Sequence, residues 1–177
     1  MSMSINTISW TIRSNNCLLG RFFIEDAIII NSFKEHIMTY DEYNNKKQED
    51  YNKFSKGKIF YAFNTEQFKK GMESIGLKPE ETNKIAHLCA GAYILKNEIK
   101  NYIKFRNKQH NEFNEKMKSF NFAKSAFKSE LANHEYGYTM DLYDAITALG
   151  YSVEEINNNT LLCKALQAAK EEYLDEY

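Results

Sequence analysis

The chain has 177 residues, 43% of them hydrophobic and 14% aromatic, which suits one folded domain with its own core and excludes a disordered chain. The formal net charge of −1 selects no partner class, but its distribution is uneven: residues 96–128 carry nine basic against three acidic side chains, and residues 129–177 carry two against ten. Cys17, Cys89 and Cys163 are odd in number and form no C-x-x-C, which argues against a disulfide scaffold or a thiolate zinc site and fits a reducing cytosol. The apolar runs are too short to span a bilayer, and no signal-peptide order opens the chain, so the expected place is the cytoplasm.

In chain order, Ser4–Arg13 alternates apolar and polar residues as a half-buried strand does. Cys17–Ile24 and Ala27–Phe33 continue a three-stranded meander. Thr39-Tyr-Asp-Glu42 is a capping box that opens a helix to about Phe54. Lys58–Phe63 reads as a strand. Asn64-Thr-Glu-Gln67 is a second capping box, for a helix that buries Phe68, Met72 and Ile75 and ends at Gly76. Pro79 suits the first turn of a short helix through Leu88. Ala90-Gly91-Ala92 is a break, and Tyr93–Leu95 is extended.

A long helix is expected from Asn97 to about Ser119, with a heptad-like seam at Ile99, Ile103, Arg106, His110, Phe113 and Met117. The next helix, 120–136, places Phe120, Ala123, Phe127, Leu131 and His134 near one face and closes at Gly137. Thr139 can cap a helix Met140–Leu149, which Gly150 ends. Ser152-Val-Glu-Glu155 is a third capping box, and Thr160 caps a final amphipathic helix, Leu161–Tyr177. These readings sum to one α+β domain over residues 1–177. A small antiparallel N-terminal sheet (1–38) packs on a mainly helical body (39–177) with one long central helix.

Three constellations could carry chemistry. Glu130 and His134 share a helix face at i and i+4, with Glu135 beside them, which suits a divalent metal or acid–base work in a small hydrolase or nuclease. The plainer reading is a histidine at a helix C-terminus paired with a surface glutamate; no H-E-x-x-H is present, so no metal and no cofactor is assigned. His36, His87 and His110 stand alone, Cys17 and Cys163 read as core, and Cys89 is a poor candidate nucleophile. Lys100, Lys104, Arg106 and Lys108 lie on the long helix among Tyr102, Phe105 and Phe113, the mixture that nucleic-acid sites use, although a solvated face gives the same pattern. Glu154, Glu155, Glu171, Glu172, Asp175 and Glu176 form an acidic surface able to meet a basic groove on another protein. No phosphate-cradling glycine loop and no nucleophile elbow occurs.

The segments KIFYAFNTEQFKKGMESIGLKPEE (58–81), AGAYILKNE (90–98) and FAKSAFKSELANHEYGYTMDLYDAITALGYSVEEINN (122–158) resemble a family of phage and prophage proteins of undetermined function. The resemblance runs from about Tyr40 to the C-terminus and leaves residues 1–38 as an addition. It implies a small accessory protein of a mobile element inside a bacterial host cell. Such proteins often act by binding and blocking host machinery, so the expected function is inhibition of a defence system, anti-CRISPR-like, through binding of a host defence protein such as a CRISPR effector. It implies no catalytic residue. The heptad-like helix is compatible with a homodimer or with packing inside one domain.

Overall fold

The computed structural model describes residues 38–176, which belong to one compact unit, Met38–Tyr177. The sheet expected over residues 1–38, with Cys17 and His36, lies outside the described residues. Helix α1, Tyr40–Ser55, begins as its capping box dictates: Thr39 Oγ1 accepts from Glu42 N at 3.3 Å, and Glu42 Oε2 accepts from Thr39 N at 2.8 Å. Strand β1 is Ile59–Tyr61 and helix α2 is Thr65–Ser74. Asn64 caps α2 by accepting from Gln67 N at 2.9 Å, but Gln67 reaches back one residue further than a capping box requires, accepting from Phe63 N at 2.8 Å.

The helix expected from Pro79 to Leu88 is replaced by a 3-10 turn, Thr82–Lys84, and strand β2, Ile85–His87. Its partner is β3, Ala92–Leu95, and the order of this antiparallel sheet is β1-β3-β2. Ile85 sits opposite Leu95, Ala86 opposite Ile94 and His87 opposite Tyr93, so long-range pairing overrides a local helical signal. The small-residue break is the hairpin turn: Ala90 and Gly91 take φ of 44° and 74°, as a two-residue primed turn requires. Phe60, Ala62, Met72 and Ile85 form the core under this sheet, with Phe60 stacked on Tyr93 at 5.2 Å between ring centroids. Gly71, inside α2, is the position against which the Phe60 ring lies; a Cβ there would overlap the ring.

A 3-10 turn, Lys96–Glu98, leads into the long helix α3, Ile99–Lys116. Its inward face keeps only part of the expected seam: Phe113 and, just past the helix end, Met117 pack into the helical core. Gln109 is its buried residue, Tyr102, Phe105 and Phe113 are half-buried, and Ile103, Arg106 and His110 are exposed. The face is rotated by about a quarter of a turn because the partner is α1: Phe54 stacks on Phe105 at 4.7 Å, Tyr43 Oη donates to the Gln109 carbonyl at 3.0 Å, and Gln109 Nε2 donates to the Lys47 carbonyl at 3.2 Å.

Helix α4, Phe120–Asn133, is the centre of the helical core, and its largest packing partner is α8, Thr160–Asp175. Between them stand α5 (Tyr136–Thr139), α6 (Tyr143–Ala148) and α7 (Val153–Asn158). Ala123, Ala126, Phe127 and Leu131 of α4 and Ala165 and Ala169 of α8 are fully buried, whereas Phe120 is exposed. Ser152 and Glu155 make the expected capping box of α7. Asn159, not Thr160, caps α8, accepting from Leu161 N and Leu162 N, both at 3.1 Å. Cys163 faces outward from α8 rather than into the core.

Gly71→Ala should destabilise the protein by about 1–3 kcal/mol through overpacking against Phe60, measured by urea unfolding. Phe60→Leu in the same chain should recover part of that loss, because the smaller side chain vacates the overlapped space.

Candidate functional site

The chain's chemically versatile residues meet at the end of α4. The helix does not run to Gly137. It stops at Asn133, and Glu135 turns the backbone with φ 53°. Met140 repeats the turn at φ 54°, so two non-glycine residues in the left-handed region bracket α5. Such residues cost of order 1–3 kcal/mol each and persist only where the surroundings hold them. Here the hold is Tyr136, which is buried, packs on Tyr173 at 6.2 Å and carries Lys170 Nζ over its ring at 5.9 Å. Helix α6 consequently starts at Tyr143, and its first amide donates to Asp141 Oδ1 at 2.8 Å; Thr139 Oγ1 accepts from Asp141 N at 3.2 Å instead of capping a longer helix.

Glu130 and His134 do face one another, with His134 Nε2 3.6 Å from Glu130 Oε2. Glu130 is 8% exposed, and its other oxygen accepts from Tyr40 Oη at 2.9 Å. Asn133 Nδ2 donates to Oε2 at 3.3 Å. The carboxylate therefore joins α1 to α4. Burial, and then the hydrogen bond and charge of Glu130, push the Tyr40 phenol up to about 12 against a lowering contact from Asn44. Glu135 points to solvent on the turn itself. Among the described residues no group of three or more His, Cys, Asp or Glu side chains is arranged to hold a metal ion. Cys89 is exposed on the β2–β3 hairpin, away from any such group.

The acidic residues divide. Lys124 Nζ lies 2.6 Å from Glu172 Oε2, Lys128 Nζ lies 2.7 Å from Glu172 Oε1, and Lys128 also reaches Glu176 Oε1 at 2.7 Å. These pairs clamp α4 to α8, and they hold the Glu172 carboxyl down at about 2, with the Lys124 hydrogen bond the largest cause. Glu155 is engaged by Ser152, and Glu171 accepts from Gln167 Nε2 at 2.8 Å. Glu154 and Asp175 are exposed. Lys100, Lys104 and Lys108 form a solvent-facing stripe on α3, with Lys108 3.8 Å from Glu112. Arg106 stands apart, near enough to α1 for its charge to act on Lys47 and Tyr43.

The sequence did not single out Met140 and Tyr143 as surface residues. With Tyr138 they are 60%, 61% and 76% exposed, among Glu135, Asp141 and Asp144. From Ser129 to Cys163 the chain contains no Lys or Arg. The signal for this face is apolar residues falling in a turn, in a window free of basic charge, rather than on a helix stripe.

The described residues thus define an α+β protein, mainly helical, whose central carboxylate serves as a joint between helices. The family model described as a family of unknown function (DUF7659) matches residues 39–172, and the chain belongs to that family. No curated protein and no solved structure matches it. No helix among the described residues is long and apolar enough to cross a membrane.

Tyr40→Phe should cost about 1.5–3 kcal/mol, because it leaves a buried carboxylate short of a donor, and the cost in urea unfolding should be the same with and without EDTA. A metal role for Glu130 would instead make it chelator-dependent. The folded-state value of Glu172 lies below its usual 4.5, so its pairing stabilises the fold above that pH and is lost as pH falls toward 2. With 39% of the Glu172 side chain solvated, screening limits the contribution to about 1 kcal/mol. Glu172→Gln should flatten the acid limb of a melting-temperature profile across that window.

Proposed function

We propose that the chain is a non-enzymatic accessory protein that binds a basic surface of a bacterial defence protein in the cytoplasm and blocks it, in the manner of an anti-CRISPR protein. The observation that carries this reading is the turn 135–144, where Tyr138, Met140 and Tyr143 are exposed between Glu135, Asp141 and Asp144. Aromatic anchors inside an acidic, base-free window suit a partner with Lys and Arg around an apolar pocket. Glu154 extends the same charge, whereas Glu172 and Glu176 are already matched by lysines of α4. The two left-handed residues and buried Tyr136 hold the turn in one shape, which lowers the ordering cost of binding. The phage association expected from the sequence supplies the choice of a defence effector as target. A second reading, nucleic-acid binding through Lys100, Lys104 and Lys108, has in its favour that the stripe faces solvent. A metal-dependent hydrolase centred on Glu130, His134 and Glu135 is not proposed, because Tyr40 and Asn133 already engage the Glu130 carboxylate.

The test is plaque formation by a targeted phage in hosts that each carry one CRISPR effector system, followed by interferometry on the purified effector. The expected outcome is restored plaquing with at least one effector, and binding weakened about tenfold or more by Tyr138→Ser with Tyr143→Ser. Binding should also weaken as salt rises. Failure to restore plaquing with every effector, or undiminished binding by the double variant, would overturn the reading. A salt-dependent shift of labelled DNA or RNA, lost in Lys104→Gln, would replace it with the second.

A further inference from the structure

Helix α3 presents an outward face that its own domain does not use. Lys100, Ile103, Lys104, Arg106, Asn107 and Lys108 are all exposed, and Ile103 keeps 52% of its surface in solvent. At about 100° per residue, Ile103 lies between Arg106 on one flank and Lys100 and Lys104 on the other. From Ile99 to Asn111 the chain contains no Asp or Glu. Lys108 lies 3.8 Å from Glu112, whereas among the described residues Lys100, Lys104 and Arg106 have no carboxylate within ion-pair distance. The face is surplus positive charge around one apolar side chain, on a helix whose opposite side is packed on α1.

The turn between α4 and α6 is the converse. Met140 and Tyr143 are exposed among Glu135, Asp141 and Asp144, and no Lys or Arg occurs from Ser129 to Cys163. Each face therefore lacks nearby the charge that the other carries in excess, and no ion pair among the described residues joins the two. Unlike charges left unmatched in this way attract over about a Debye length, roughly 10 Å at 0.1 M salt, and the apolar side chains on both faces give the contact something to bury. The partner chemistry that suits the turn, cations around an apolar side chain, is thus present on the chain itself.

We propose that the outward face of α3 docks the 135–144 turn of a second copy of this chain, with the turn's apolar side chains at Ile103 and Glu135 and Asp144 toward Lys100, Lys104 and Arg106. The two patches are unlike, so the contact is heterologous. It goes beyond the partner-binding reading, since it needs no other protein. It also covers the same turn, so self-association and capture of a basic partner exclude one another, and dilution uncovers the turn.

The experiment is sedimentation equilibrium of the purified full chain, before and after nuclease treatment, at low and high salt and up to about 1 mM protein. A dissociation constant of order 100 µM at low salt, weakened about tenfold or more at high salt, is expected of a small contact with charged edges. Lys100→Glu with Lys104→Glu, and separately Glu135→Lys with Asp144→Lys, should each leave a single chain throughout that range. All four side chains are exposed, so both variants should keep the wild-type melting temperature. An equimolar mixture of the two should associate again, because the reversed α3 matches the reversed turn and the two unaltered faces match each other; two misfolded variants would not recover. A wild type that stays a single chain at low salt, a turn variant that associates as the wild type does, or a mixture no heavier than its components would overturn the proposal. Association that disappears on nuclease treatment would overturn it as well, and would put nucleic acid on α3.

Discussion

Close approach of α4 and α8 is the constraint on which the helical body depends. Ala123 and Ala126 on one helix and Ala165 and Ala169 on the other are fully buried. Small residues at a crossing let helix axes come toward about 8 Å, the near end of the usual range. Phe127, Leu131, Leu162 and Leu166 then fill the flanks of that contact. Above it, Lys124 and Lys128 bridge to Glu172 and Glu176, so a dry seam is edged by a charged clamp. The apparent split of the chain into a basic middle and an acidic end is in part this clamp, with the two charge blocks facing each other across one interface.

The remaining helices are set relative to that pair by single polar contacts. Glu130 receives Tyr40 and thereby fixes the start of α1. Tyr40 N donates to Ser125 Oγ at 3.0 Å, and that hydroxyl donates to the Phe122 carbonyl at 2.8 Å, so the same corner is held twice. Tyr40, Tyr43, Phe113 and Phe122 close the space between α1, α3 and α4 as a cluster of tilted and edge-on rings. The turn after α4 inherits its shape from buried Tyr136, which is why residues with no conformational preference for it occupy left-handed positions.

What was legible in the sequence was local. The capping boxes at Thr39 and Ser152, the glycine that ends α6 and the α+β balance follow from side chains acting on their own backbone within three or four residues. What was not legible depends on partners far along the chain. The inward face of α3 is chosen by Phe54 and Tyr43, some sixty residues earlier, so Ile103, Arg106 and His110 of the expected seam are left exposed while Phe113 and Met117 are used. The strand at Ile85 exists because β3 pairs with it. At the site, the meeting of Glu130 and His134 could be read from their spacing of four. The prior claim of Tyr40, ninety residues away, could not, and it changes a candidate acid–base pair into a joint.

The helical cluster around α4 and the small cluster under the sheet share no buried residue. The sheet rests on strands of three or four residues, with four buried side chains in the cluster under it and Ile59, Ala92 and Ile94 buried besides, while the helical cluster holds eighteen. Free energies of local opening follow such differences in buried contact. Amide hydrogens of β1, β2 and α2 are therefore expected to exchange through partial openings that leave α4 and α8 closed.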